Sequence, residues 1–176
     1  MCRCGAEVSV TVHRGDITQH AADVLVNSTN PALAPGAGVA GAFYRAGGEA
    51  MHEEMRRAAP LGLHTGEFIS TGSHGLPCKH IIHVVSHRWV DRAGRNDDLE
   101  ERMWSMYEDV FRYARDELGA ASIATPSLGT GIFRVPLAVA VRAFYRAAEA
   151  FPDLDIRLVA FDEDTYRAYA EHETRK

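Results

Sequence analysis

The chain has 176 residues, 46% of them apolar and 24% charged, which fits one globular domain with a full hydrophobic core and no need for disulfide staples. Lys and Arg total 19 against 24 Asp and Glu, a net charge of −5; non-specific nucleic-acid binding, which needs a basic surface, is therefore not expected. No apolar run reaches the roughly 20 residues that span a bilayer, and MCRCGAEVSV lacks a signal-peptide core, so the expectation is a cytoplasmic, monomeric single domain over 1–176 with frayed ends near 1–6 and 171–176.

Residues 7–13 alternate apolar and polar positions around Val8, Val10 and Val12, the mark of a half-buried strand. Val24–Val26 reads as a second, short strand. A helix follows over 39–46 and 49–58, interrupted at Gly47-Gly48. Strands over 67–70 and 80–86 bracket the turn-like GSHGLP. Residues 97–118 form the clearest helix, with Leu99, Met103, Met106, Val110, Ala114 and Leu118 on one face and Gly119 as its stop. A strand at 122–125 is followed by a helix opened by Pro136, a favoured N-terminal residue. Its buried stripe is Leu137, Val141, Phe144, Ala148 and Phe151. A last strand, 155–160, and a last helix, 162–173, close the chain. Strands alternating with helices predict an α/β fold with a largely parallel sheet covered on both faces.

Three cysteines, Cys2, Cys4 and Cys78, make an odd number without framework spacing, so reduced thiols are expected. Joined to His80 and His83 they could be drawn as a zinc site. His80 and His83 sit three apart in a strand, however, where side chains alternate between faces. Neither a metal nor a cofactor is expected.

In parallel sheets ligands gather at the carboxyl ends of strands, and three segments there carry unusual chemistry. The first is Gly15-Asp16-Ile17. Asp16 is either a helix N-cap or an acceptor for an exocyclic amino group such as that of adenine. The second is VNSTNPALAPGAGVAGAFYRAGG, residues 26–48. Its Gly36-x-Gly38-x-x-Gly41 matches the dinucleotide fingerprint, which would point to an NAD-linked oxidoreductase. In that motif the first glycine follows the strand directly, whereas here Asn27 to Pro35 intervene. What survives is a run of backbone N–H groups at a helix N-terminus, an anion nest. The third segment, residues 126–133 with Ser127, Gly129, Thr130, Gly131, Ile132 and Phe133, offers a similar nest. Two such loops facing each other could hold a diphosphate without Lys, Arg or metal, although each alone is equally readable as a tight turn. Phe161, just after the last strand, is either core or a wall on which a base stacks.

HRGDIT, DVLVNSTN, GAGVAGAFYRAGG, HTGEFISTGSHGLPCKHIIHVVSHRW, SLGTGIF and FDEDTY together resemble the macrodomain family in order and spacing, over nearly the whole chain. The resemblance implies a three-layer α/β/α fold that binds ADP-ribose, and a hydrolase acting on ADP-ribosylated proteins, nucleic-acid ends or O-acetyl-ADP-ribose. By the same resemblance Asp16 takes the adenine amino group and the Ile17 N–H the neighbouring ring nitrogen, and Phe161 flanks the base. Gly36, Gly38, Val39 and Ala40 hold one phosphate, and Ser127 with Gly129 to Ile132 the other. Asn30 bonds the distal ribose and is the catalytic candidate, and Phe133 packs on that sugar.

The sequence also departs from the family. Many family hydrolases carry Val-Asp-Gly where this chain has Val39-Ala40-Gly41, and that Asp is proposed to help activate water. Viral macrodomains with Val-Ala-Gly resemble the chain at this point and count as hydrolases. Asn27-Ser28-Thr29-Asn30 replaces Asn-Ala-Ala-Asn, and Arg134 stands where a glycine commonly follows the aromatic residue. Arg134 is either a solvated charge or a contact to the group beyond the distal ribose. The implied readings are thus a hydrolase or a non-catalytic reader of ADP-ribose.

Overall fold

The structure is a computed structural model that describes residues 9–90 and 96–173. The proposed start of the first strand at Glu7–Val8, the thiols of Cys2 and Cys4 and the extreme ends lie outside those residues. Six strands form one sheet in the order β1-β6-β5-β2-β4-β3, where β1 is Val10–Arg14, β2 Val24–Thr29, β3 Phe68–Gly72, β4 His80–Val85, β5 Ser122–Thr125 and β6 Asp155–Ala160. Every pairing is parallel except that of β3 with β4.

Four helices complete the three layers: α1 (Gly38–Ala58), α2 (Leu99–Asp116), α3 (Leu137–Ala148) and α4 (Glu163–Glu173). The central strands β2, β4 and β5 are buried on both faces, as inner parallel strands must be. Val24, Val26, Ile82, Val84, Ile156 and Leu158 meet α2, α3 and α4 in one core, while Leu25, Ile81 and Val159 meet Phe43, Met51 and Met55 of α1 in the other. The break expected at Gly47-Gly48 is a kink inside α1, with Gly48 at φ 67°. Pro136 lies one residue earlier than expected, at the N-cap of α3, and Leu137 is only partly buried.

One strand corrects the sequence reading. β2 runs on to Thr29 rather than stopping at Val26, so Asn27 is a strand residue and only Asn30 to Ala37 separate the strand from α1. The polar residues NST disguise this extension, because Asn27 faces a buried partner. Its amide donates to His83 Nδ1 at 3.0 Å, and His83 Nε2 meets Thr71 Oγ1 at 2.8 Å. The His83 ring thus joins β2, β4 and β3 across the sheet and is committed to these bonds, and among the described residues no cluster of His, Cys, Asp or Glu could hold a metal.

Burial pushes the His83 imidazole from an ordinary 6.5 down to about 3. A histidine held neutral in the fold binds a proton only on unfolding, so stability falls as pH drops from about 6.5 toward 3. At pH 5 this one group should cost about 2 kcal/mol relative to pH 7.5, at about 1.4 kcal/mol per unit. Urea unfolding at the two pH values should show a smaller difference in His83→Gln than in the parent; an equal difference would remove His83 as the source.

Candidate functional site

The carboxyl ends of β1, β2, β5 and β6 open into one elongated cleft made of two adjoining cavities. The larger, ≈ 360 Å³, is walled by Asp16, Ile17, Thr130 and Phe161; the other, ≈ 210 Å³, by Asn30, Gly36, Ala40, Gly129, Ile132 and Phe133. Gly38, Val39, Ser127 and Gly131 border both. Every ligand-binding candidate from Asp16 to Phe161 therefore lies on this cleft, while Arg134 is not among its lining residues.

At the larger cavity Asp16 caps a single 3-10 turn, Ile17–Gln19. It accepts from Thr18 N at 2.9 Å and Thr18 Oγ1 at 2.8 Å, both on Oδ1. Oδ2 takes no bond among the described residues, so the cap and the acceptor readings are compatible. Phe161 is no core residue: it is 81% exposed and stands at the cavity edge. Beside it Asp162 caps α4, accepting from Thr165 N at 2.8 Å and Thr165 Oγ1 at 2.9 Å. The Thr165 N–H holds the Asp162 carboxyl below its ordinary value.

Between the cavities, α1 begins at Gly38 with Ala37 as N-cap and no side-chain capping bond. Its first N–H groups consequently lack intrahelical acceptors. A Cβ on Gly41 would fall 2.3 Å from the Gly36 carbonyl oxygen, so the loop can fold back onto its helix only with hydrogen at that position.

The facing loop is held rigidly from beneath. Leu128 N donates to the hydroxyl of Tyr107 at 2.9 Å, Ser127 Oγ meets Tyr169 OH at 2.9 Å, and both tyrosines are fully buried. Burial pushes the Tyr107 phenol up to about 12, so it stays a neutral partner. Val135 N closes onto Gly129 O and Arg134 N onto Gly131 O, both at 3.0 Å. The N–H groups of Gly129, Thr130, Gly131, Ile132 and Phe133 meet no acceptor among the described residues, and the loop offers them to the cleft as a nest.

Asn30 sits at the floor of the smaller cavity. Its amide is already engaged, donating from Nδ2 to Ala34 O at 2.8 Å and accepting at Oδ1 from Ala34 N at 3.2 Å. A primary amide keeps a second N–H and a second lone pair after such an exchange. The loop behind it is pinned as well: Leu63 N bonds Pro31 O at 2.9 Å, and His52, held at Nδ1 by Arg56 at 2.8 Å, bonds Leu33 O. Ala40 borders this cavity, whose lining among the described residues includes no carboxylate, imidazole or thiol.

A family model decides the assignment: residues 26–144 of the chain match the Macro domain. The chain belongs to the macrodomain family. It is 37% identical over 168 residues to a macro domain-containing protein of Streptomyces nogalater, covering 92% of this chain and 90% of that one. It is 32% identical over 167 residues to a protein of Pantoea vagans named O-acetyl-ADP-ribose deacetylase 1, covering 91% and 95%. A variant of the Oceanobacillus iheyensis macrodomain solved with ADPR superposes with a TM-score of 0.84 at 30% identity, covering 94% of this chain and 92% of that one.

Several wall and support residues escaped the sequence reading. Ala42 and Arg45 line one cavity together with Gly38, at i+4 and i+7 from it, so helical spacing from the glycine loop was a usable signal. Asp162 and Thr165 stand in an N-cap spacing that was equally readable. Tyr107 and Tyr169 gave no local signal, because their partners lie far away in sequence.

A methyl group separates the two glycines of the second loop. Gly129 has φ 77°, and its Cβ would fall 2.6 Å from Ser86 Oγ and 2.8 Å from Val135 Cγ2, whereas a Cβ on Gly131 meets nothing within 4 Å. In urea unfolding, Gly129→Ala should cost more than about 2 kcal/mol, from backbone strain plus overlap. Gly131→Ala should stay within about 0.5 kcal/mol. Equal losses would mean that the loop has another conformation.

Proposed function

We propose that this macrodomain binds ADP-ribose and hydrolyses the bond that joins it to a modified acceptor: a mono-ADP-ribosylated protein, a nucleic-acid end or O-acetyl-ADP-ribose. The observation that carries the reading is the passage between the cavities, where two sets of unpaired N–H groups converge. A diphosphate is the ligand that such a passage suits, with a base toward Asp16 and Phe161 and a sugar toward Asn30 and Phe133. The ADPR in the Oceanobacillus relative and the name of the Pantoea protein support it.

In this reading Asp16 Oδ2 accepts the adenine amino group, Ile17 N–H meets the adjacent ring nitrogen, and the Phe161 face covers the base. The N–H groups of Gly38 and Val39 hold one phosphate and those of Gly129 to Ile132 the other. Asn30 turns its remaining N–H and lone pair to the distal ribose, with Phe133 packed on the sugar. Water adds across the bond, leaving free ADP-ribose and free acceptor. With Ala40 at the loop and no ionisable side chain in the cavity lining, the water is oriented by loop backbone and deprotonated by a ligand phosphate. Loss of a protein general base typically costs 10²–10⁴-fold, so turnover is slow or confined to good leaving groups.

That same lining favours a second reading, a module that reads ADP-ribose without cutting it. A time course separates the two. With protein mono-ADP-ribosylated on acidic side chains and the macrodomain in excess, ADP-ribose should be released, and Asn30→Ala should lose the release. Bound but uncut label, across protein, nucleic-acid and acetyl substrates alike, would leave the reader.

Binding has its own checks. Asp16→Ala should weaken ADP-ribose at least tenfold by calorimetry, about 1.4 kcal/mol, and equal affinity would take Asp16 out of the site. Gly131→Glu should abolish binding by filling the passage with bulk and like charge; undiminished affinity would refute the phosphate position. An NAD-linked activity predicts that NAD outcompetes ADP-ribose, and the opposite order is expected here.

A further inference from the structure

Cations on this acidic chain are distributed unevenly. Among the described residues, Arg14, Arg56, Lys79, Arg102, Arg112, Arg115, Arg142, Arg146, Arg157 and Arg167 each pair with a carboxylate. The remainder, without such a partner, are Arg45, Arg57, Arg88 and Arg134. Arg57 lies in the last turn of α1, where a cation offsets the helix dipole. The other three border the cleft. Arg45 lines the adenine-side cavity. Arg88 stacks over the Phe133 ring with its guanidinium carbon 5.5 Å from the centroid, and Arg134 follows Phe133 directly.

Arg134 is also held in the left-handed region at φ 55°. A non-glycine residue in that region costs roughly 1–2 kcal/mol, so glycine would serve the turn better and the side chain needs another reason. Both Arg88 and Arg134 are exposed. Neither is needed for the diphosphate, which has the two N–H loops. Arg88 lies against Phe133, which lines the sugar-side cavity, and Arg134 is the next residue along the chain.

We infer that Arg88 and Arg134 form an acceptor subsite that selects ADP-ribosylated peptides carrying further carboxylates next to the modified residue. The inference rests on the ADP-ribose reading above. In an ester-linked acceptor the modified carboxyl has lost its charge, so the two guanidinium groups read its neighbours. Carboxylates match a guanidinium bidentately. The rest of the mouth suits a peptide as well: Ile132, which lines the smaller cavity, is 69% exposed. A nucleic-acid strand brings a charge at every nucleotide to a chain of net charge −5, and meets, among the described residues, two arginines rather than a basic track.

The test uses two peptides of equal length bearing ADP-ribose through the same non-hydrolysable linkage, one flanked by Asp and Glu and one by Asn and Gln. A 5′-phosphorylated oligonucleotide carrying ADP-ribose at its end and free ADP-ribose are titrated alongside. The acidic peptide should bind at least fivefold tighter than its neutral twin at low salt, and the difference should shrink at 0.5 M salt. In Arg88→Gln/Arg134→Gln it should vanish, with free ADP-ribose within threefold of the parent. Equal affinities for the two peptides, a preference that survives in the double variant, or tighter binding of the oligonucleotide would each overturn the subsite while leaving the ADP-ribose reading intact. Failure of free ADP-ribose to bind the parent would overturn both.

Discussion

At the first turn of α1 the N–H groups of Gly38 and Val39 have no carbonyl four residues back to meet, and Ala37 supplies no side-chain cap in its place. A helix start left in this state is stabilised by an anion, through both the open hydrogen bonds and the partial positive charge of the aligned peptides. The facing loop repeats the condition without a helix: its turns close through the N–H groups of Arg134 and Val135, and those of Gly129 to Phe133 meet no acceptor among the described residues. An acidic domain can bind a dianion on such terms because backbone donors carry no formal charge, need no desolvation of an ammonium group and cannot swing away. The supports around the cleft keep these donors in place.

Rigidity at the cleft is supplied from the core rather than from the loops. Tyr107 and Tyr169 are buried among the aromatic side chains of α2, α3 and α4, with Phe144 edge-on to both at 5.5 and 5.4 Å. Each sends its hydroxyl up to the second loop. On the other face, His52 and Arg56 of α1 reach back to the loop that carries Asn30. A change in either helix layer therefore reaches the cleft through one hydrogen bond. Small shifts of a bound group's surroundings matter most where a reaction depends on orientation rather than on a strong base, and that is the situation of a cavity bordered by Ala40.

The parts of this arrangement that were legible in the sequence are those written in local pattern. Residues 122–125 and 155–160 alternate or run apolar between turn signals, and the strands fall there. The Gly-Gly pair announces the kink of α1, and the two glycine loops announce the cleft. What escaped was set by partners distant in the chain. Asn27 reads as loop until His83 is placed opposite it. The hydroxyl of Tyr107 becomes a support only because Leu128 comes down on it, and a buried tyrosine in a helical stripe is otherwise indistinguishable from packing. The isolation of Arg88 and Arg134 could not be read at all, because the pairing of a surface arginine depends on which carboxylates the fold brings near.

That isolation gives the two ends of the cleft different characters. Toward Asp16 the cavity is bordered by a capped turn and one exposed ring, with the carboxylates of Asp16 and Asp162 and the guanidinium of Arg45 as its charged groups. Toward Phe133 the mouth is apolar and cationic, and one of its cations is kept at a backbone angle that a glycine would occupy with less strain. Strained residues persist where their surroundings hold them, and they cluster at sites that act on ligands. On the proposed reading the strain at Arg134 falls on the acceptor side of the cleft and not at the glycines that would face a diphosphate. On the proposed reading, discrimination between acceptors belongs to the rim, while the passage between the two glycine loops meets only what every ADP-ribosyl group shares.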